Sequence, residues 1–229
     1  MGSRVGGLRE VSLVSVLEFD SEWFGKRIGR RDGDPEETDL WAKANELDCV
    51  YTLLRLNQMN DLHWAVQHGF RLVDVRVEFI ARSARLSTTA RPAKEEDWPD
   101  IERIARTSFK KTRFHNDRWF DRERVNEMYA NWARTSGEAL VTYNEDGGVA
   151  GFVTVGDTHL ELIAVDETLR GHGHGDRLAN AALKHAYANG NTFLNVVTQG
   201  GNHAAQRTFQ AVGFRLISTH LWLHKWYLK

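Results

Sequence analysis

The glycine-rich stretch "LRGHGHGDRL", residues 169–178, holds groups that could bind a phosphate or a metal ion. Glycine reaches backbone conformations that are closed to other residues, so successive peptide N–H groups can converge on one point. A zinc site is not expected, because His172 and His174 have no cysteine or second histidine pair at a usable spacing. The stretch therefore predicts either an anion site or a tight turn that binds nothing.

Known phosphate-binding motifs narrow this choice. A dinucleotide-binding fingerprint needs glycine or alanine where Asp176 stands, and no Gly-Lys-Ser/Thr follows as in a P-loop. The remaining pattern is Arg170-x-x-Gly173-x-Gly175, between a predicted strand and a predicted helix over residues 175–188. Because the positive end of that helix dipole favours an anion, a pyrophosphate is the expected ligand.

A candidate general base lies on the strand that precedes the glycine loop, "THLELIAV" at residues 158–165. Period-two alternation puts Glu161 on one face with His159, Ile163 and Val165. Glu161 or His159 could take a proton from a nucleophile, directly or through water, while main-chain N–H groups of the strand polarise a carbonyl oxygen. The alternative for Glu161 is a strand residue that faces solvent.

The segment at residues 109–122 mixes cations with aromatic rings, which could pair with a diphosphate and stack a base. Its cations are Lys110, Lys111, Arg113, Arg118 and Arg122, and its aromatic residues are Phe109, Phe114, Trp119 and Phe120. An amphipathic helix with its charged side in water gives the same pattern, since Asp117, Asp121 and Glu123 dilute the positive charge. Tyr129 and Trp132 follow three residues apart and share a helix face, as a sugar-stacking wall or as core.

The composition of the whole chain excludes several classes of protein. A formal net charge of -1 over 229 residues argues against a nucleic-acid binder. No apolar run approaches the roughly 20 residues of a membrane span, so no membrane association is expected. The single cysteine, Cys49, rules out an internal disulfide and fits a cytoplasmic protein.

Strand and helix signals alternate along the chain, which predicts an α/β fold. A polar stretch, "SARLSTTA" at residues 83–90, suggests a linker between a small α/β N-terminal domain (1–85) and a larger domain (86–229). The predicted strands lie at 12–19, 49–56, 70–82, 138–144, 148–155, 158–165, 192–198 and the C-terminus, and the predicted helices at 35–48, 60–68, 95–109, 118–135, 175–188 and 202–212.

One internal similarity links the two predicted domains. "HWAVQHGFRLVDVRVEF" and "RTFQAVGFRLISTHLWL" align without gaps and share Gly-Phe-Arg-Leu after a helix and before a strand. The N-terminal unit could thus be a degenerate half-copy of the C-terminal one. Coincidence is the alternative, because Gly-Phe after a helix is a common C-terminal cap.

The motifs "IAVDETLRGHGHGDRL" and "NHAAQRTFQAVGF" together resemble the GCN5-related N-acetyltransferase (GNAT) superfamily over residues 91–227. The resemblance implies a mixed central sheet, acetyl-CoA as co-substrate and no metal. It also implies that the acetyl-CoA site consists of Ile163, Ala164 and Val165 for the pantetheine arm, Arg170, Gly171, His172, Gly173, His174 and Gly175 for the pyrophosphate, and Asn202 and Phe209 on the following helix. Many relatives have a tyrosine acid where Phe209 stands, so His203, His220, Tyr227 or water would have to replace it.

The stretches "FDSEWFG", "TSFKKTRFHNDRWF", "YANWARTS" and "NVVTQGGNHAA" resemble members of this superfamily that acetylate a dTDP-linked 4-amino-4,6-dideoxy sugar. The resemblance implies a nucleotide-sugar acceptor held by Phe24, Arg113, Phe114, Tyr129 and Trp132, with the N-terminal domain contributing to the acceptor site, and a homodimer. Two alternatives stay open. One is an acetyltransferase for another amine, such as an antibiotic, a polyamine or a peptide N-terminus, and the other is a non-catalytic acyl-CoA-binding module.

Overall fold

The structure is a computed structural model that describes residues 14–31 and 35–227. The chain folds into two compact units. The first unit runs up to Leu72 and resumes at Trp222, and the second is Val73–Leu221. The sequence predicted two domains with a boundary between residues 85 and 86. That domain boundary stays a prediction.

The first unit alternates strands and helices, as the sequence predicted for an α/β unit. Two of its elements, α1 and β2, were missed, because "SLVSVLEF" was interpreted as one strand although the chain turns into a helix at Glu18. Residues 12 and 13 of that predicted strand lie outside the described part. Its elements are β1 (Val14–Val16), α1 (Glu18–Phe24), β2 (Ile28–Arg31), α2 (Pro35–Ala44), β3 (Cys49–Arg55), α3 (Met59–Gln67), the first residues of β4 (Arg71–Arg82) and the last residues of β10 (Arg215–Trp226).

The sheet of the first unit is itself mixed. β1 runs antiparallel to β2, and β2 runs parallel to β3, with Ile28 beside Cys49. Cys49 is buried, as its apolar surroundings suggested. Behind this sheet, Asp39 on α2 accepts hydrogen bonds from Lys225 Nζ at 2.6 Å and from the Tyr227 hydroxyl at 2.7 Å. These bonds fix the C-terminal strand to α2.

The second unit holds most of the strands and all of the predicted acetyl-CoA residues. Its further elements are β5 (Arg91–Pro92), α4 (Trp98–Ser108), α5 (Arg113–Asn116), α6 (Arg122–Thr135), β6 (Glu138–Tyr143), β7 (Val149–Val155), β8 (His159–Val165), α7 (His174–Ala188), β9 (Phe193–Gln199) and α8 (His203–Ala211). From β4 the strand order runs β4-β9-β8-β7-β6-β5, with residues 215–221 of β10 on the other side of β4.

The sheet of the second unit is mixed, which confirms that prediction. Its described strand pairs are antiparallel except for β8 and β9, which are parallel. All residues of β7 are buried, and both α4 and α7 pack on this strand, so helices cover the sheet on two faces. This double covering accounts for the continuous apolar run "VAGFV" in β7.

The main core of the second unit lies between the sheet and helices α7 and α8. Phe79 on β4, Val196 on β9, Leu178 on α7 and Phe209 on α8 belong to one buried cluster. A second apolar layer forms where α4 packs on α6. On α4 the buried residues recur at helical spacing, as Ile101, Ile104 and Ala105.

Candidate active site

The gap between β8 and β9 is the first element of the candidate site. The two parallel strands pair through His159 with Asn195 and Leu160 with Val196. Both strands then continue, β8 to Val165 and β9 to Gln199, beyond that pairing. Peptide groups on this edge of β8 beyond Leu160 can therefore bond an extended ligand in the place of a neighbouring strand.

A β-bulge lies on β8 where the gap begins. Against β7, Thr154 is opposite Leu162 and Val155 is opposite Leu160, so Glu161 is the extra residue. The bulge changes which side chains share a face. Leu160 belongs to the core cluster under α7, and Ile163 packs against the same cluster although it is three residues further on. The strict alternation used to place Glu161 with Ile163 and Val165 is thus interrupted here.

The carboxyl group of Glu161 lies over Gly156, at the end of β7. A Cβ atom at residue 156 would be 3.0 Å from Oε1 of Glu161, so glycine leaves the room that the carboxylate occupies. Glu161 is half-buried, and this burial raises its pKa above the ordinary value, with the nearby His159 opposing the rise. His159 is exposed and its Nδ1 lies 2.9 Å from the Thr158 hydroxyl. Glu161 therefore has the more sheltered position for accepting a proton.

The glycine loop and the start of α7 form the candidate pyrophosphate site. Gly171 and Gly173 have φ values of +85° and +76°, which only glycine adopts without strain. Gly173 is the N-terminal cap of α7, and the helix begins at His174, one residue earlier than predicted. The first peptide N–H groups of a helix have no partner within it, so at this loop they point toward any bound anion.

An ion pair holds the beginning of this loop against α4. Asp166 accepts hydrogen bonds from the Thr168 peptide N–H at 3.0 Å and from Arg103 Nη1 at 2.6 Å. The hydrogen bond from Arg103, together with those from Thr168, lowers the pKa of Asp166 to about 2. Asp166 is thus ionised at neutral pH and fixes the turn that leads from β8 into the loop.

Two basic side chains lie at the loop itself. The Arg170 guanidinium is exposed, with Nη1 3.8 Å from Glu167. Arg177, which the sequence prediction did not include, donates from Nη2 to the His172 carbonyl at 3.0 Å. His172 is exposed, and its Nδ1 lies 3.1 Å from the Arg170 carbonyl. The guanidinium groups of Arg170 and Arg177 add to the positive potential at the start of α7.

Three of the predicted acetyl-CoA residues have their side chains engaged inside the protein. His174 is buried with Nδ1 3.2 Å from the Thr142 hydroxyl, and burial lowers its pKa, so its side chain faces the protein interior. Asn202 caps α8, accepting from the Ala205 N–H at 3.3 Å while its Nδ2 donates to Thr198. The Phe209 ring is 1% exposed and belongs to the core rather than to the surface of the site.

Two of the predicted acceptor residues, Tyr129 and Trp132, belong to an aromatic stack. Tyr129 stacks on Phe109 at 4.7 Å between ring centroids and on Trp132 at 5.8 Å, which confirms that Tyr129 and Trp132 share a face of α6. Tyr129 is only 6% exposed, whereas Trp132 is half-buried. Phe109 is half-buried like Trp132, so both of these rings have surface left for a ligand, and Tyr129 supports them.

The short helix α5 carries Arg113 and Phe114 and is attached to β4. The guanidinium of Arg113 lies 4.1 Å from the ring centre of Phe114, which is itself buried. Asn116 Nδ2 donates to the Val73 carbonyl at 2.9 Å, and the Asp74 carboxylate accepts from the Arg113 peptide N–H. Burial raises the pKa of Asp74 to about 6, and the hydrogen bond from the Val75 peptide N–H, the Arg113 charge and the Arg113 peptide N–H oppose this rise.

The remaining predicted residues lie elsewhere. Phe24 is a buried residue of α1 in the first unit. Among the suggested replacement acids, Tyr227 belongs to the first unit and donates its hydroxyl to Asp39, and burial raises its pKa, so it is poorly suited to give up a proton. His203 is exposed at the first turn of α8, and His220 is half-buried on β10.

Comparison with known proteins identifies the family. Residues 98–214 match the model of the Acetyltransferase (GNAT) family. Over 201 residues the chain is 31% identical to a dTDP-fucosamine acetyltransferase of Escherichia coli O6:H1, covering 83% of this chain and 85% of that protein. The chain belongs to the GNAT family. It is accordingly an N-acetyltransferase that uses acetyl-CoA.

Solved structures agree with this GNAT fold. A GCN5-related N-acetyltransferase from Sphaerobacter thermophilus superposes with a TM-score of 0.64 at 14% identity, covering 93% of this chain and 76% of the other. A conserved protein of unknown function from Staphylococcus epidermidis gives a TM-score of 0.63 at 12% identity, covering 97% and 94%. At these identities the likeness shows the fold alone, and it confirms the predicted fold class.

Besides Arg177, sequence reasoning missed three positions of this GNAT protein that the structure places at or beside the site. Thr154 bonds to the bulge, Asp166 fixes the glycine loop and Asp74 anchors α5. The signal for Thr154 was a hydroxyl within an otherwise apolar strand, and the signal for Asp74 was a carboxylate within a half-buried one. Asp166 gave no signal beyond its position ahead of the glycine loop.

Two kinds of feature are absent from the described residues. Within residues 14–31 and 35–227, no group of three or more histidine, cysteine, aspartate or glutamate residues could hold a metal ion. Over the same residues, no helix is both long and apolar enough to cross a membrane.

Proposed function

We propose that this GNAT enzyme transfers the acetyl group of acetyl-CoA to the amine of a nucleotide-linked sugar, namely a dTDP-4-amino-4,6-dideoxy sugar. The similarity to dTDP-fucosamine acetyltransferase carries the proposal. That similarity spans 201 residues, whereas the family match spans only residues 98–214. The similarity therefore includes residues N-terminal to the common acetyltransferase region. Because acceptor recognition differs most among proteins of one fold, similarity outside the common region supports a shared acceptor class.

The acetyl-CoA site is proposed to follow the gap and the loop described above. Main-chain groups of residues 163–165 would bond the pantetheine arm, and residues 170–175 with the start of α7 would bind the pyrophosphate. When bound, acetyl-CoA supplies the activated acyl group as a thioester. The Asn202 side chain, engaged in capping α8, would take part through its position beside the gap rather than through a free amide.

Glu161 is proposed as the general base. The amine can attack only after losing a proton, and Glu161, alone or through water with His159, would accept it. The raised pKa of Glu161 makes its carboxylate a better proton acceptor than an ordinary glutamate. Phe209 has no proton to give, and since a thiol has a pKa of about 8.5, a thiolate can leave with water as the proton source.

The acceptor side is proposed to use Arg113 for the diphosphate and Trp132 for stacking, with Phe114 and Tyr129 supporting them. Phe24 stays a proposed contact from the first unit. The homodimer and the cytoplasmic location likewise stay proposals. The location is supported by the single cysteine of the chain.

The decisive assay is release of CoA thiol from acetyl-CoA with a dTDP-4-amino-4,6-dideoxyhexose, against a panel of polyamines, aminoglycosides and peptides. We expect turnover with the nucleotide sugar and none with the polyamines, aminoglycosides or peptides. Arg113→Gln should raise KM for the nucleotide sugar about tenfold but leave KM for the same amino sugar without its nucleotide unchanged. Arg215→Gln, which removes an exposed cation on β10, is the matched control. Turnover with another amine and none with the sugar would replace the proposed acceptor, and acetyl-CoA binding without any turnover would favour a binding module.

A further inference from the structure

The main-chain N–H of Leu162, directly after the bulge residue Glu161, donates to a side chain of the opposite strand. It donates to the Thr154 hydroxyl at 3.1 Å, within the buried interior. Thr154 is 0% exposed and lies on β7 opposite Leu162. A bulge interrupts the regular ladder, and at this bulge a threonine hydroxyl bonds a peptide group beside it.

The same hydroxyl also contacts the end of α6. Thr154 Oγ1 lies 3.0 Å from Ser136 Oγ. Ser136 is the C-terminal cap of α6, and its peptide N–H donates to the Trp132 carbonyl at 2.9 Å. The next residue, Gly137, has φ +100°, and a Cβ there would overlap the Val155 carbonyl, so the chain after α6 is pressed against the end of β7.

A continuous set of bonds thus joins the last turn of α6 to the bulge. It runs from the Trp132 carbonyl through Ser136 to Thr154 and then to the Leu162 N–H. Trp132 is the proposed acceptor-stacking residue, and Glu161 beside Leu162 is the proposed base. We propose that Thr154 is a positioning residue that holds the β8 bulge in place and fixes it relative to α6. The catalytic part of this inference rests on the proposed function.

Removal of the Thr154 hydroxyl should disturb the bulge in a defined way. Thr154→Val keeps the shape of the side chain and removes the hydroxyl to which the buried Leu162 N–H donates, which makes the bulged arrangement less favourable. The strand can respond by shifting toward regular pairing, which would move Glu161 out of its position over Gly156. Thr154→Ser keeps the hydroxyl and should retain the bulge.

The test combines kinetics with amide hydrogen exchange at Leu162, followed by NMR. For Thr154→Val we expect exchange at Leu162 at least about tenfold faster and kcat about tenfold lower, with Thr154→Ser within about threefold of wild type in both. Ser136→Ala should lower kcat less and leave Leu162 protected. Thr52→Val, at a buried threonine of β3 in the first unit, controls for loss of a hydroxyl from a buried strand and should leave both readings unchanged.

Wild-type exchange at Leu162 together with wild-type kcat in Thr154→Val would overturn the inference. If Thr154→Val does not fold, Thr154→Ser and Ser136→Ala still test the inference. Loss of Leu162 protection in Thr154→Ser, which keeps the hydroxyl, would contradict a role for that hydroxyl. The hydrogen-exchange measurement at Leu162 needs no acceptor substrate. Failure of the wild-type enzyme to acetylate the nucleotide sugar would therefore refute the proposed function and leave the result at Leu162 to stand by itself.

Discussion

Asp74 on β4 should make the folded protein less stable at neutral pH than it is near pH 4. Burial raises the pKa of this carboxyl group to about 6 in the folded protein, from an ordinary value of 3.8. Folding therefore favours the protonated form. The stabilising contribution is complete below about pH 4 and is lost as the pH rises through 6.

The size of the effect follows from the shift. Two pKa units correspond to roughly 3 kcal/mol as an upper limit. Asp74 is only half-buried, and solvent screening reduces this to about 1 to 2 kcal/mol. Asp74→Asn removes the charge and keeps an oxygen that can accept from the Val75 peptide N–H, which Oδ1 of Asp74 bonds at 2.8 Å. At pH 8 the variant should consequently be more stable than wild type by about 1 kcal/mol.

Urea unfolding followed by tryptophan fluorescence at pH 4.5, 6 and 8 would measure this difference. The gain in Asp74→Asn should be largest at pH 8 and should fall to about a third of that value at pH 4.5. Asp157→Asn, at an exposed turn residue after β7, should change the free energy of unfolding by no more than about 0.5 kcal/mol. A variant that is less stable than wild type at pH 8 would show that the bonds and the charge of Arg113 outweigh burial, and the reasoning would be refuted.

Three further outcomes follow from the site. Glu161→Gln should lower kcat/KM by about 10²- to 10⁴-fold and abolish the acidic limb of its pH profile, which should lie above the pKa of an ordinary glutamate; an unchanged limb would exclude Glu161 as the base. Gly173→Ala should raise KM for acetyl-CoA about tenfold. The control is Gly190→Ala, at a similar φ of +80° beyond the other end of α7. It should cost comparable stability, about 1 kcal/mol, and leave KM for acetyl-CoA unchanged. Phe209→Tyr should lose about 1 to 3 kcal/mol of stability with kcat within threefold of wild type, as measured by urea unfolding and CoA release, and a marked gain in kcat would show that the ring reaches the reacting atoms.

Much of the fold of the second unit could be predicted from the sequence because its signals are local. Apolar alternation on β8, the glycines before α7 and the helical spacing of apolar residues on α4 each indicate one element. The first unit was harder. Residues 12–19 look extended, yet α1 begins at Glu18, and β2 is only four residues long, too short to show a pattern. Short elements are set by tertiary pairing, which a single sequence does not display.

The site was predictable where it depends on the main chain and less so where it depends on side chains from distant positions. The loop at 170–175 has the left-handed glycines that an anion site needs. The bulge at Glu161 could not be foreseen, because the sequence alternates regularly through it and only the register against β7 shows the extra residue. For the same reason, nothing in the sequence indicated that the side chain of His174 turns inward to Thr142.

These two kinds of site have different consequences for specificity. The candidate acetyl-CoA site consists largely of peptide groups on β8 and α7, so any sequence that preserves the glycine pattern and the strand gap can build it. The candidate acceptor site depends on side chains of α5 and α6, which are fixed to β4 by Asp74 and to the bulge by Thr154. Solved structures at 12–14% identity therefore share the fold without indicating the acceptor. A change of acceptor should require changes within residues 109–136 and in their anchors, while residues 159–175 stay as they are.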